Sequence, residues 1–142
     1  MPGLAHVVER FVRRARRAGA GGTGEIALPP RPAPPTGSTR LLVGPANFAG
    51  QGWAWGRAAE RLPGVGAQVF AVDQAAGYAF PADYPVTAEV YRSPRWAAEQ
   101  EAYVLAHFTH VLIEAGRPVL GLTRGIDAGP DAALLADAGL TV

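Results

Sequence analysis

Short apolar runs alternate along this chain with stretches where apolar residues recur every three or four positions, and the two periods place its elements. Leu4, Val7, Val8, Phe11, Val12 and Ala15 fall at helical spacing with arginines mostly on the other side, so a basic amphipathic helix is expected over residues 4–18. Residues 19–39, "GAGGTGEIALPPRPAPPTGST", have no period; glycine gives way to proline, the composition of a linker that is flexible first and then stiff. From Arg40 the pattern becomes regular. Residues 40–44 predict a buried strand, and Gly52 to Leu62 a helix with Trp55, Ala58, Ala59 and Leu62 on its core face, ended by Pro63-Gly64. "AQVFAV" (67–72) predicts a second strand, residues 73–85 a Gly/Pro/Tyr loop, and "VTAEVY" (86–91) a short third strand. Ser93 is a good N-cap and Pro94 suits a first helical position, so a helix should run from there to His107. "THVLIEA" (109–115) predicts a fourth strand, Gly129-Pro130-Asp131 opens a last helix, Gly139 caps it, and the final residues begin another strand.

Strands that alternate with helices in this way predict an α/β fold: a Rossmann-like three-layer domain with a mostly parallel sheet and helices on both faces. The domain plan is a basic helix over 1–18, a Gly/Pro-rich linker over 19–39 and the Rossmann-like body over 40–142. A last strand that has only begun at Val142 leads to the expectation that the body is incomplete, the front piece of a longer protein.

Composition narrows the chemistry. At 142 residues, 49% hydrophobic and a mean hydropathy of +0.07, the chain suits one domain with a packed core. No apolar run reaches the roughly 18 residues of a membrane span. The absence of cysteine removes disulfides, thiol nucleophiles and Cys-based zinc sites, and it fits a reducing, cytoplasmic setting. All 13 basic residues are arginine, which with abundant Ala, Gly and Pro resembles GC-rich bacterial coding sequence. Residues 1–39 hold six arginines against Glu9 and Glu25, whereas residues 40–142 hold seven against ten acids. The body is therefore not expected to bind nucleic acid. Only the N-terminal helix is suited to an anionic partner: it reads either as a peripheral contact with the inner face of the membrane or as an ordinary surface helix.

The stretch "LLVGPANFAGQGWAW", residues 41–55, is the main candidate site. Ligands of open α/β sheets bind beyond the carboxyl ends of the strands, where strand order reverses, and the loop after the first strand lies there. Its glycines, Gly50 and Gly52, would let backbone amides approach a phosphate or a sugar, and Asn47 and Gln51 could hydrogen-bond hydroxyls; the alternative is a turn that merely reverses the chain. The loop half-fits the dinucleotide fingerprint G-x-G-x-x-G, because Gly56 comes one position late, while Asp73 ends the second strand where a ribose-binding acid would stand. With no lysine there is no P-loop. Trp53 and Trp55 point about 200° apart on a helix, which leaves Trp53 near the loop, either as a stacking ring or packed beneath a neighbour. Glu114 and Arg117, in "IEAGRP", form the other lip of the crevice; Glu114 would accept from ligand hydroxyls or pair with Arg117. His107 and His110 are slender support for a metal, and no metal or cofactor is expected. No Ser-His-Asp order, paired-carboxylate motif or H-E-x-x-H names a catalytic residue.

In the words "GPANFAGQGWAWGRAAE", "VFAVD", "YRSPRW" and "THVLIEAGRP", the body from Arg40 to Val142 resembles the N-terminal Rossmann domain of bacterial GT-B glycosyltransferases of the family 1/4-like group. The resemblance implies that the Gly-rich loop faces an interdomain cleft. It also implies that the nucleotide-sugar pocket belongs to a second domain and that this chain is truncated before it. Asn47, Gly50, Gln51, Gly52, Trp53, Glu114 and Arg117 are then substrate-binding candidates on the acceptor side of a hexosyltransferase. Nucleotide-sugar and acceptor would be partners only with that second domain, and this chain alone would transfer no sugar. The competing reading is a stand-alone nucleotide-binding or protein-interaction module with a flavodoxin-like sheet.

Overall fold

The computed structural model describes residues 25–73 and 80–142. The helix expected over 4–18 and the first part of the linker lie outside the described residues. Strands β1 (Thr39–Gly44), β2 (Val65–Val72), β3 (Tyr84–Val86) and β4 (His110–Ile113) form one sheet in the order β3-β2-β1-β4, with every pair parallel. The helices are α1 (Gln51–Ala59), α2 (Ala88–Arg92), α3 (Pro94–His107) and α4 (Gly129–Asp137). The chain steps outward twice from β1 and then crosses back to its other side, which is the Rossmann order; in a flavodoxin sheet the third strand would lie beside the first. Beyond β4, Thr141 makes a parallel bridge to His110, and the Val111 amide donates to the Thr141 carbonyl at 2.8 Å.

Alternation along the strands divides the core. Leu42, Phe70 and Val111 join Trp96, Val104, Phe108, Leu120 and Leu135 in one buried cluster, with the Phe70 and Trp96 rings 6.3 Å apart. α3 begins as its residues dictate: the Ser93 hydroxyl accepts from the Trp96 amide at 3.3 Å and Pro94 takes the first turn. Val43 and Val69 point to the opposite face, where α1 docks.

That helix corrects an expectation. Its buried residues are Gly52 and Gly56, whereas Trp55 is 42% exposed and Leu62 61% exposed. A Cβ on Gly56 would stand 2.6 Å from Val69 Cγ2, so the helix lies too close to the sheet for any larger side chain on that face. The bulky residues consequently turn outward.

The third strand lies earlier than expected, at Tyr84–Val86, where Tyr84 and Pro85 fall in the stretch read as a loop, and most of "VTAEVY" is helical. The Thr87 hydroxyl accepts from the Val90 amide at 3.2 Å and caps α2, which outweighs the β-propensity of the segment. β3 itself carries an exposed proline, Pro85, on an edge strand where a missing N–H discourages further pairing. Below it, side chains cover the edge of β2. Asp83 accepts from the Val69 amide at 2.8 Å, and Arg57 donates to the Ala67 carbonyl at 3.3 Å while pairing with Asp83 at 2.9 Å.

From Glu25 onward the proline-rich segment lies against the body. Ile26 and Leu28 pack on the core, Tyr84 donates to the Pro29 carbonyl, Tyr103 to that of Pro32, and Gln68 to that of Ala33. Arg31 sits 5.3, 5.9 and 4.9 Å from the ring centres of Tyr84, Trp96 and Tyr103 and donates to Gln100 Oε1 at 2.5 Å. Among the described residues no helix is long and apolar enough to cross a membrane.

Candidate functional site

Strand order reverses between β1 and β4, so the position where open α/β sheets take their ligands lies at the carboxyl ends of these two strands. After Gly44 the chain turns through three left-handed residues, Asn47, Ala49 and Gly50, and a short 3-10 turn at Phe48–Gly50 delivers it into α1. Asn47 organises this turn from a position only 1% exposed. Its Oδ1 accepts from the Trp53 amide at 2.9 Å, capping α1, and its Nδ2 donates to the Pro81 carbonyl at 3.1 Å.

Glu114 reaches across from the end of β4 and is 6% exposed. Its Oε2 accepts from the amides of Ala46 at 3.1 Å and Asn47 at 2.9 Å. Its Oε1 makes no hydrogen bond among the described residues. A Cβ on Gly52 would lie 2.5 Å from Oε1, so only glycine lets the carboxylate rest against the first turn of α1. A negative charge there complements the partial positive charge of the helix N-terminus.

Two further loop amides are committed as well. Gly50 donates to the Asn47 carbonyl at 3.1 Å and Gln51 to the Phe48 carbonyl. The Gln51 side chain is exposed. Gly50 is tight against the Phe80 ring, 2.8 Å from where a Cβ would sit. Trp53 is half-buried with the Arg57 guanidinium 4.4 Å from its ring centre. Arg117 lies over the exposed Phe48 ring at 5.1 Å, and among the described residues it makes no ion pair with Glu114. Its own amide donates to the Glu114 carbonyl at 3.1 Å.

Asn47, Gly52 and Glu114 thus converge in one buried unit, with Gly50, Gln51, Trp53 and Arg117 around it. Sequence reading placed Glu114 on the facing lip but did not show that its carboxylate takes amides of the loop after β1. Spacing along the chain carries no signal for a contact between residues 67 positions apart.

A second buried group steadies the loop that bears Glu114. Asp131, 1% exposed, accepts from the Leu120 amide at 2.8 Å, while its Oδ1 has no hydrogen bond among the described residues and faces Arg124 at 3.9 Å. Burial raises its carboxyl above the ordinary 3.8, against the backbone hydrogen bond and Arg124. Tyr91 donates to the Pro118 carbonyl at 2.5 Å, and burial, aided by the Asp131 charge, pushes its hydroxyl up to about 12. Asp73 is exposed, its amide donating to the Val86 carbonyl at 3.0 Å. Among the described residues no group of three His, Cys, Asp or Glu could hold a metal ion. A shallow cavity of about 560 Å3 between the proline-rich segment and β3–α2 shares no residue with this site. Compared with known proteins, the chain matches no family model, no curated protein and no solved structure.

Proposed function

We propose that the body of this chain is the acceptor-side wall of a GT-B-type glycosyltransferase, receiving a hydroxyl-bearing acceptor beside the loop after β1. Glu114 is the observation that carries this reading. Its carboxylate occupies the N-terminal end of α1 and takes the Ala46 and Asn47 amides. A nucleotide module of Rossmann type needs that helix end and those amides for its diphosphate, whereas an acceptor wall does not. The exposed Asp73 alone is a poor basis for the rival reading, because the phosphate cradle that should accompany it is filled.

In this proposal Glu114 Oε1 accepts from an acceptor hydroxyl, and Gln51 and Trp53 contact the sugar or aglycone from the start of α1. Arg117, on Phe48, marks the rim. Gly50 and Gly52 permit the tight turn, and Asn47 holds it. The nucleotide-sugar would be presented by a second Rossmann domain, as the resemblance implies, and no catalytic residue is assigned within this chain. A cytoplasmic setting, with residues 4–18 resting on the inner face of the membrane, belongs to the same proposal.

Saturation-transfer NMR on the 142-residue chain, with a panel of simple glycosides and of UDP-, GDP- and ADP-sugars, tests the reading. Glycosides should contact the loop, and no nucleotide-sugar should be turned over. Turnover by the chain alone, or nucleotide-sugars bound at the loop in preference to glycosides, would sink it.

A further inference from the structure

The end of β1 holds a carboxylate where folds of this kind usually hold a ligand's phosphate, and most of the amides around it are spent. Five amides between residues 46 and 53 are satisfied from within the chain: those of Ala46 and Asn47 by Glu114, Trp53 by the Asn47 side chain, and Gly50 and Gln51 by backbone carbonyls. Beside them stands an acceptor. Glu114 is more than nine-tenths buried, and its Oε1 lies at the first turn of α1 with no hydrogen bond among the described residues.

We infer that Glu114 sets the ligand class of this site: it is an internal anion that excludes phosphate and admits the hydrogen-bond donors of a hydroxyl group. The inference rests on the acceptor-wall reading and sharpens it, since it requires that the end of the acceptor entering the site carry no phosphate. The physics is charge against charge at short range. A phosphate brought to the Ala46 and Asn47 amides would meet a carboxylate within a few ångströms in a site screened little by water. A hydroxyl instead gains a charge-assisted hydrogen bond.

Inorganic pyrophosphate, titrated into the full 142-residue chain with backbone amide shifts as the readout, tests the charge directly. In the wild-type protein the amides of Ala46, Asn47 and Gly52 should not respond at millimolar pyrophosphate. Glu114→Gln keeps an oxygen for the two amides but removes the charge, and Glu114→Ala frees the amides too. Pyrophosphate affinity at these amides should rise in the order wild type, Gln, Ala, with at least about a tenfold gain across the series. If Glu114→Ala does not fold, the Gln variant alone decides. The inference is overturned if wild-type protein binds pyrophosphate at these amides as tightly as the folded variants, or if no folded variant gains affinity. Either outcome concerns the phosphate position only; the acceptor-wall reading stands or falls separately, on glycoside contact and nucleotide-sugar turnover.

Discussion

At Gly56 two small effects of opposite sign meet. Alanine is the better helix former, by about 1 kcal/mol. Its methyl group, however, would press on Val69 Cγ2 at 2.6 Å, and Val69 is a fully buried, β-branched side chain with little room to yield. Overpacking of this kind costs about 1–3 kcal/mol, so the steric term should win. Gly56→Ala is expected to lower the unfolding free energy in urea by about 1 kcal/mol. Combining it with Val69→Ala, which removes the obstructing methyl, should cost less than the two changes summed. Additive losses in that cycle would show that helix and sheet are not in the contact described.

The proline-rich segment shows how an element without regular secondary structure is held. Prolines have no N–H to offer, so its attachment rests on carbonyls that accept from Tyr84, Tyr103 and Gln68 and on the Arg31 guanidinium among three rings. One terminal nitrogen of Arg31 is buried without a hydrogen bond among the described residues, which offsets part of the gain. Desolvated cation–π contacts are each worth up to about 2 kcal/mol, so the balance favours the arginine. Arg31→Ala should destabilise the chain by about 2 kcal/mol, and Arg31→Lys should restore little of this, because an ammonium lacks the planar fork that stacks and reaches Gln100 together. A melting curve unchanged in Arg31→Ala would mean that the segment contributes nothing to the fold. The same scale explains "VTAEVY": a threonine hydroxyl placed to cap Val90 turned a β-branched run into α2.

Across the whole molecule, stability should be graded from the middle of the sheet outward. β1 has a parallel neighbour on each side, whereas β3 has three residues, one neighbour and a central proline. Native-state hydrogen exchange should find the Leu42 and Val43 amides opening only with global unfolding, and those of Tyr84 and Val86 opening at a free energy lower by about 2 kcal/mol or more. Equal protection in both strands would contradict this arrangement. The network of Arg57, Asp83 and Glu60 bears on the result, since it ties the exposed edge of β2 to α1 and should keep that edge more protected than β3.

Local signals determined much of this protein. The period of the apolar residues located three of the four strands, and Ser93-Pro94 and the Gly129-Pro130-Asp131 run opened helices where they stood, because caps and proline act through neighbours within one turn. That the loop after β1 stands at the point where strand order reverses was legible too, since the alternation of strands and helices along the chain predicts a parallel sheet of this type. Tertiary structure alone decided which face of α1 is buried, because a helix docked on glycines inverts the rule that large apolar residues point inward. It alone laid the proline-rich segment on the aromatic rings. It alone brought the Glu114 carboxylate to the amides of Ala46 and Asn47, a contact whose partners meet only when β4 is laid beside β1. What depends on a few adjacent residues is written along the chain; what depends on distant elements meeting at short range exists only once the sheet has formed.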